Sequence, residues 1–141
     1  MTDLATQLGK RLGQGSFRIG YAKKGTEGRV IKEALTNSYG TYHNWLEWFV
    51  YHSCPENVQT YLAKVYRISE DGKYLEMQRT EPWSASHDDL PPEIMNMFAD
   101  THGGNYGHLV VGNKIVIHDY AMIRIPGWND QAIAPQTYGV P

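Results

Sequence analysis

The stretch "DTHGGNYG", residues 100–107, follows the apolar run "EIMNMFA" and contains an acid, a histidine, an asparagine and three glycines. Asp100 and Asn105 lie in this glycine-rich loop, and Asp119 comes at the end of the next predicted hairpin. A short turn would bring these two carboxylates and one amide oxygen together, and Mg²⁺ prefers such hard oxygen ligands. Any one of them alone is more often a turn former or a strand-end cap. Their spacing together predicts a magnesium site.

Length and composition restrict the classes of protein to be considered. The 141 residues suffice for one domain with a core and are too few for two ordinary domains. A net charge of -2 gives no basic face for a phosphate backbone, so we expect no nucleic-acid partner. The single cysteine, Cys54, has no internal disulfide partner, and no window approaches the roughly 18 apolar residues of a membrane span. With no secretion signal at the start, we expect a cytoplasmic protein that does not enter a membrane.

The first half of the chain predicts a short helix, two hairpins and one longer helix. Residues 2–9 are predicted as a helix capped by Thr2 or Asp3 and stopped by "LGQGS". "FRIGYAKKGTEGRVIKEAL" and "AKVYRISEDGKYLEMQRT" each alternate apolar and polar positions around a glycine-containing turn, which is typical of a hairpin. Between them, "TYHNWLEWFVYHSC" has tryptophans and a phenylalanine at helical spacing, and Pro55 ends this helix.

The second half is more varied. "EPWSASHDD" is polar and turn-rich, which indicates a hinge or linker. "LPPEIMNMFA" predicts a helix that begins at its prolines and leads into the "DTHGGNYG" loop. "HLVVGNKIVIHDYAM" predicts a third hairpin, turning at "GN". Residues 125–141 follow neither period and are predicted to form an extended tail.

Three features near the start of the chain are candidates for binding phosphate. In "LGQGSF", Gly13 and Gly15 lack side chains, so backbone amides there could approach phosphate oxygens closely. Lys32 in "VIK" could project below that turn, and Glu47 on the tryptophan-rich helix could reach it across the sheet. Taken singly, a plain turn, a solvated lysine and an exposed helical glutamate are the commoner interpretations.

These features follow one another in the order found in protein kinases: glycine-rich loop, strand lysine, helix glutamate, hinge, Asp-x-x-x-x-Asn loop, hairpin and metal-binding Asp. Residues 10–122 therefore resemble the protein kinase-like superfamily. Within it, "DTHGGN" is similar to the D-x-H-x-G-N loop of aminoglycoside phosphotransferase-like enzymes. The layout "GSFR...RVIK...DGKYLEM.R.EP...D.H.GN.G" is most similar to that of short bacteriophage kinase-like proteins.

The resemblance implies a role for each candidate residue. Lys32 would contact the α- and β-phosphates of ATP, and Glu47 would fix Lys32 by an ion pair. Asp100 would be the catalytic base that accepts the proton of the attacking hydroxyl. The resemblance implies two metal ligands for Mg²⁺, Asn105 and Asp119. It implies that ATP is covered or contacted by Gly13, Gly15, Ser16, Phe17 and the backbone of Glu76 and Met77.

The resemblance also implies an α+β, protein kinase-like fold with a five-stranded antiparallel N-lobe and one helix. The predicted domain covers residues 1–124, with the N-lobe at about 10–81 and a strongly reduced C-lobe at about 82–124, followed by the tail. "DYA", residues 119–121, replaces the Asp-Phe-Gly of the family. No activation segment ending in Ala-Pro-Glu and no helical platform for a protein substrate is present in the sequence.

Two functions remain open on these grounds, beside a plain structural domain in which the order of the motifs is a coincidence. The first is an ATP- and Mg²⁺-dependent phosphotransferase of phage type that acts on a component of the host cytoplasm. The second is a catalytically inactive pseudokinase that binds and modulates a host protein. A shortened C-lobe would expose apolar surface, so we also expect a homodimer formed through that lobe.

Overall fold

The computed structural model describes residues 3–82, 106–109, 115–118 and 120, and it shows an α+β fold. A five-stranded antiparallel sheet has the order β1-β2-β3-β5-β4, and a three-stranded antiparallel sheet has the order β6-β7-β8. The helices are a 3-10 helix at Leu4–Gln7, α1 at Gly40–Ser53 and α2 at Glu56–Gln59. The strands are β1 Leu8–Gln14, β2 Arg18–Lys23, β3 Arg29–Ala34, β4 Val65–Ile68, β5 Tyr74–Gln78, β6 Thr80–Pro82, β7 Tyr106–Leu109 and β8 Ile115–Ile117.

The predicted helix over residues 2–9 is wrong in extent. Only one 3-10 turn forms, with the Asp3 side chain accepting a hydrogen bond from the backbone N–H of Ala5 at 3.0 Å. From Leu8 onward the chain is strand β1, paired with β2 from Leu8↔Lys23 to Gln14↔Ile19. A short isolated helix is only marginally stable, whereas sheet pairing satisfies the same backbone groups along a strand of seven residues.

The two hairpins of the first half and the helix between them are confirmed. Strands β2 and β3 pair without a register shift, and β4 and β5 flank the "EDG" turn. Gly72 in that turn has φ 75°, which side-chain-bearing residues rarely adopt. A Cβ at Gly72 would also lie 2.2 Å from Nε1 of Trp45, so this turn packs directly on α1.

The large sheet has two different faces, and both are covered. Gly20, Lys32 and Leu75 are register partners on the face that meets α1. Tyr21, Ile31 and Glu76 are partners on the opposite face, where the 3-10 helix lies against β5. We call these the helix face and the outer face.

The small sheet joins the large one through the segment that follows α2. The N–H of Ala63 donates to the carbonyl of Ile117 at 2.8 Å, and the N–H of Ile117 donates to the carbonyl of Tyr61 at 2.8 Å. One core cluster therefore spans both sheets, α1 and α2. Its buried members are Val50, Val58, Leu62, Ala63, Val65, Leu75, Met77, Val116, Ile117 and Tyr120.

Several predicted segments lie outside the described residues: most of the hinge, the helix "LPPEIMNMFA", the "DTHGG" loop with Asn105, and the tail at 125–141. The predicted domain and lobe boundaries stay predictions. Across the described part of the chain, each helix is too short or too polar to cross a membrane.

Candidate functional site

A cleft of about 720 Å³ opens on the helix face of the sheet, below the turn that connects β1 and β2. Its size lies within the usual range of small-ligand pockets. The residues that line the cleft are Leu12, Gly13, Gly15, Ser16, Phe17, Arg18, Gly20, Val30, Lys32, His43, Met77, Gln78, Arg79, Thr80, Glu81 and His118. Six of the residues predicted to contact ATP are therefore gathered around one cleft: Gly13, Gly15, Ser16, Phe17, Lys32 and Met77.

Lys32 and Glu47 form an ion pair at the wall of this cleft. Strand β3 directs Lys32 toward α1, where Glu47 is fully buried, and the Nζ–Oε1 distance is 3.3 Å. The contact between these two residues that the resemblance implied is thus present. Lys32 Nζ also donates to the backbone carbonyl of His118 at 3.1 Å, so one ammonium group joins the two sheets.

The second carboxylate oxygen of Glu47 extends this connection. Glu47 Oε2 accepts a hydrogen bond of 2.9 Å from the backbone N–H of Tyr120, whose hydroxyl donates to the carbonyl of Ala63 at 2.7 Å. Asp119, the predicted metal ligand, lies outside the described residues. The backbone groups of its two chain neighbours, His118 and Tyr120, are bound by Lys32 and Glu47 respectively.

Arg18 is a site residue that the sequence analysis did not identify. It begins β2 and faces the cleft, where Nη1 lies 2.5 Å from Glu47 Oε1 and 3.0 Å from Asn44 Oδ1. Buried Asn44 is fixed in turn because its Nδ2 donates to the carbonyls of Gly72 at 2.9 Å and Lys73 at 3.2 Å. Arg18 and Gly20 share the face of Lys32, whereas the apolar residues Ile19 and Tyr21 lie on the other face, so the alternation of β2 carried no signal for Arg18.

Glu47 is ionised over the whole physiological pH range. Burial by itself would raise its pKa, but the charges of Arg18 and Lys32 and the hydrogen bonds from Arg18 and Tyr120 lower the pKa to about 2. The pKa of the Tyr120 phenol is raised well above its usual value, by burial first and then by the charge of Glu47. The buried centre is therefore one carboxylate between two cations, with a neutral phenol beside it.

The glycine-containing turn is folded onto the start of α1. The carbonyl of Phe17 accepts hydrogen bonds from the N–H of Leu35 at 2.8 Å and from Ser38 Oγ at 3.2 Å, and its ring lies 4.7 Å from that of His43. A Cβ at Gly40 would lie 2.3 Å from the same carbonyl oxygen, so only glycine permits this approach. The turn thus covers the end of the cleft that lies next to the start of α1.

Glu76 and Met77, predicted to meet adenine through their backbone, lie in the interior strand β5. Both are register partners of β3 on one side and β4 on the other. Met77 still lines the cleft by its side chain, whereas Glu76 is not one of the lining residues. The cleft-lining segment continues beyond β5 as far as Glu81.

The Glu76 side chain points to the outer face, where it is fully buried among three cations. Lys23 Nζ lies 3.0 Å and Arg29 Nη1 2.7 Å from Oε2, and Arg67 Nε lies 2.9 Å from Oε1. Burial opposes ionisation, but hydrogen bonds from Arg29, Lys23 and Arg67 hold the pKa of Glu76 below its usual value. The sequence pattern did not show whether the carboxylate of Glu76 has a structural role or binds a ligand.

His118 and Thr80 form a contact within the small sheet, because Thr80 begins β6 and His118 follows β8. Thr80 Oγ1 and His118 Nδ1 are 2.6 Å apart, and both residues line the cleft. The sequence analysis identified neither of them. Asp100 and Asn105, the predicted base and metal ligand, lie outside the described residues. Within residues 3–82, 106–109, 115–118 and 120, no cluster of His, Cys, Asp and Glu side chains is suited to hold a metal ion.

Comparisons with known proteins leave the site to be interpreted from its own geometry. The chain matches no protein-family model, and no curated protein matches its sequence.

Proposed function

We propose that this chain is an ATP- and Mg²⁺-dependent phosphotransferase of the kinase-like, phage type that transfers phosphate to a hydroxyl group of a host component. The observation that carries the proposal is Lys32, which lines the cleft and is paired with the buried carboxylate of Glu47. Kinases use a lysine of the third strand, fixed by a glutamate of the following helix, to bind nucleotide phosphates. Here β3 supplies the lysine and α1 the glutamate, in the same order along the chain.

The surroundings of Lys32 support the same interpretation. Gly13 near the end of β1 and Gly15 and Ser16 in the turn that follows line the same cleft, and their small size permits close approach of phosphate oxygens. Val30 and Met77 give the cleft apolar walls suited to an aromatic base. An anionic chain at one end and an apolar base at the other is the composition of a nucleoside triphosphate.

The remaining roles rest on the sequence resemblance. Asp100 would accept the proton of the attacking hydroxyl, and the oxygen donors Asn105 and Asp119 suit Mg²⁺, which would neutralise charge on the transferred phosphate. Since Lys32 and Glu47 bind the backbone on either side of residue 119, the pair also links the phosphate-binding wall to the chain segment that contains a proposed ligand.

The alternative is a pseudokinase that keeps the cleft without transferring phosphate and binds a host protein. Arg18 favours it, because its guanidinium contacts the same oxygen of Glu47, Oε1, as Lys32 does. A lysine that competes for its glutamate is less firmly positioned for catalysis. Both candidates predict that ATP binds in the cleft, and they differ only in whether the bound ATP is consumed.

The test is a titration with ATP, with and without Mg²⁺, followed by thermal unfolding. ATP at 100 times its dissociation constant should stabilise the folded protein by about 2.7 kcal/mol. Lys32→Ala should remove that shift. Lys23→Ala is the matched control, since Lys23 forms the equivalent pair with buried Glu76 at 3.0 Å on the outer face and should keep the shift.

Turnover then separates the two candidates. ATP consumption that Asp100→Asn abolishes, with ATP binding retained, supports the phosphotransferase. ATP binding without consumption, unchanged in Asp100→Asn, supports the pseudokinase. Equal shifts in the wild type, Lys32→Ala and Lys23→Ala, or no shift at all, would reject a nucleotide site at Lys32.

A further inference from the structure

Tyr120 is held at both ends by two parts of the first half of the chain. Its backbone N–H donates to Glu47 Oε2 at 2.9 Å, and its hydroxyl donates to the backbone carbonyl of Ala63 at 2.7 Å. Glu47 belongs to α1, whereas Ala63 lies between α2 and β4. All three residues are fully buried, so both hydrogen bonds lie in the protein interior, where they are stronger than in water.

Ala63 offers this hydroxyl an acceptor with a fixed position. Its own N–H donates to the carbonyl of Ile117 at 2.8 Å, and the N–H of Ile117 donates to the carbonyl of Tyr61 at 2.8 Å. Residues 61–63 therefore bind the chain through the backbone of Ile117 and again through the hydroxyl of Tyr120. The bond from the hydroxyl thus fixes Tyr120 to a segment that is itself fixed.

Packing alone does not require the hydroxyl of Tyr120. A phenylalanine would fill nearly the same volume, and the kinase-like family has phenylalanine where this chain has the tyrosine of "DYA". A buried hydroxyl costs free energy unless it is hydrogen-bonded, and the bond to Ala63 meets that requirement. Burial, and then the charge of Glu47, raise the pKa of the Tyr120 phenol well above its usual value, so the phenol remains a donor at neutral pH.

Tyr120 is not one of the residues that line the cleft, so its effect on a ligand passes through Glu47. A carboxylate can rotate about its terminal bond, and the N–H of Tyr120 on Oε2 fixes the orientation of this one. The other oxygen of Glu47, Oε1, lies 3.3 Å from Lys32 Nζ. A series of contacts therefore leads from the carbonyl of Ala63 through Tyr120 and Glu47 to the ammonium of Lys32.

We propose that the Tyr120 hydroxyl positions Lys32 for phosphate binding, because its bond to Ala63 holds the Tyr120 backbone where the N–H orients the Glu47 carboxylate. Tyr120 is a positioning residue, since it acts through Glu47 and Lys32 and does not contact the ligand. The inference rests on the proposed function for the identity of the ligand, and it deepens that function by adding a residue on which phosphate binding depends. The rival explanation is that the hydroxyl only stabilises the fold.

The experiment measures the binding of ATP and adenosine by isothermal titration in the wild type, Tyr120→Phe and Tyr74→Phe. Tyr120→Phe should weaken ATP binding at least about fivefold, the usual effect of losing one hydrogen bond, and leave adenosine binding unchanged, because adenosine has no phosphate for Lys32. Tyr74→Phe is the matched control, since the Tyr74 hydroxyl donates to Glu33 Oε2 at 3.0 Å on the outer face, and it should bind both ligands as the wild type does. Equal losses in the two variants, or an equal loss for both ligands in Tyr120→Phe, would overturn the proposal.

Amide hydrogen exchange tests the same contacts without a ligand. The N–H of residue 120 should be protected in the wild type, exchange at least about fivefold faster in Tyr120→Phe, and keep its protection in Tyr74→Phe. An unprotected amide at residue 120 of the wild type would overturn the proposal, even if Tyr120→Phe does not fold.

Failure of this inference can be distinguished from failure of the proposed function. ATP binding that depends on Lys32 but is unchanged in Tyr120→Phe would overturn the inference and leave the proposed function standing. No ATP binding by the wild type, together with the expected change in exchange at residue 120 in Tyr120→Phe, would reject the nucleotide and sustain the role of Tyr120 at Glu47.

Discussion

Glu47 and Glu76 are both fully buried carboxylates, and both are surrounded by cations that lower their pKa. They differ in what their partners connect. The three cations around Glu76 come from β2, β3 and β4, all within one sheet. Glu47 joins β2 and β3 to Tyr120, which lies 73 residues further along the chain, and its two cations line a cleft. Burial and ion pairing are thus common to scaffold and site, and the cleft distinguishes them.

The clearest test of this difference is to neutralise each carboxylate in turn. Glu76→Gln and Glu47→Gln should each lower the free energy of unfolding by about 3 kcal/mol, because cations gathered around a buried carboxylate lose their counter-charge. Urea denaturation measures the loss. Only Glu47→Gln should also change the affinity of the folded protein for ATP. A change of equal size in Glu76→Gln would show that the two carboxylates are not functionally different.

Acid should remove the stabilisation that both carboxylates provide. The pKa of Glu47 falls from 4.5 to about 2 and that of Glu76 is also lowered, so each contributes stability that is fully present above about pH 4.5. For Glu47 that contribution is lost as the pH falls from 4.5 toward 2, where its carboxylate becomes protonated. The unfolding midpoint, measured from pH 7 to pH 2.5, should decrease in this pH window, and it should decrease less steeply in Glu47→Gln. Parallel pH profiles for Glu47→Gln and the wild type would contradict the assignment of this stabilisation to Glu47.

A smaller effect is expected from the residues that brace each carboxylate. Asn44→Ala removes the donor to the carbonyls of Gly72 and Lys73 and the acceptor for Arg18, and should cost about 2 kcal/mol. Gln7→Ala removes the 3.3 Å contact with Arg67 near Glu76 and should stay within about 0.5 kcal/mol. Thermal unfolding of both variants measures the two losses of stability. Similar losses would mean that the outer face needs side-chain bracing as much as the cleft does.

The hairpins and α1 could be predicted because their signals are local. The "EDG" turn, the alternation on either side and the spacing that ends at Pro55 each lie within a few residues. The strand at Leu8–Gln14 could not be predicted, because its pairing with β2 depends on tertiary structure.

The site was only partly accessible to sequence reasoning, for a physical reason. In β2 the apolar residues Ile19 and Tyr21 suggest that their face is the inner one, yet both faces of the sheet are covered, and Arg18 lies on the helix face. Strand β5 is interior, so the Glu76 side chain is buried, whereas the sequence analysis gave a role only to the backbone of Glu76. The resemblance correctly implied the contact between Lys32 and Glu47, but the roles of both remain proposals.

The hydrogen bond from Tyr120 to Glu47 also has a consequence for the order of folding. Strands β1 to β5 and α1 all lie between Leu8 and Gln78, so their contacts can form on the ribosome before residue 120 leaves the exit tunnel. The bond from Tyr120 closes a loop of 73 residues and therefore belongs to the late steps of folding. A nascent chain would carry a formed sheet with an incomplete cleft, and in the finished protein this bond would act mainly by slowing unfolding.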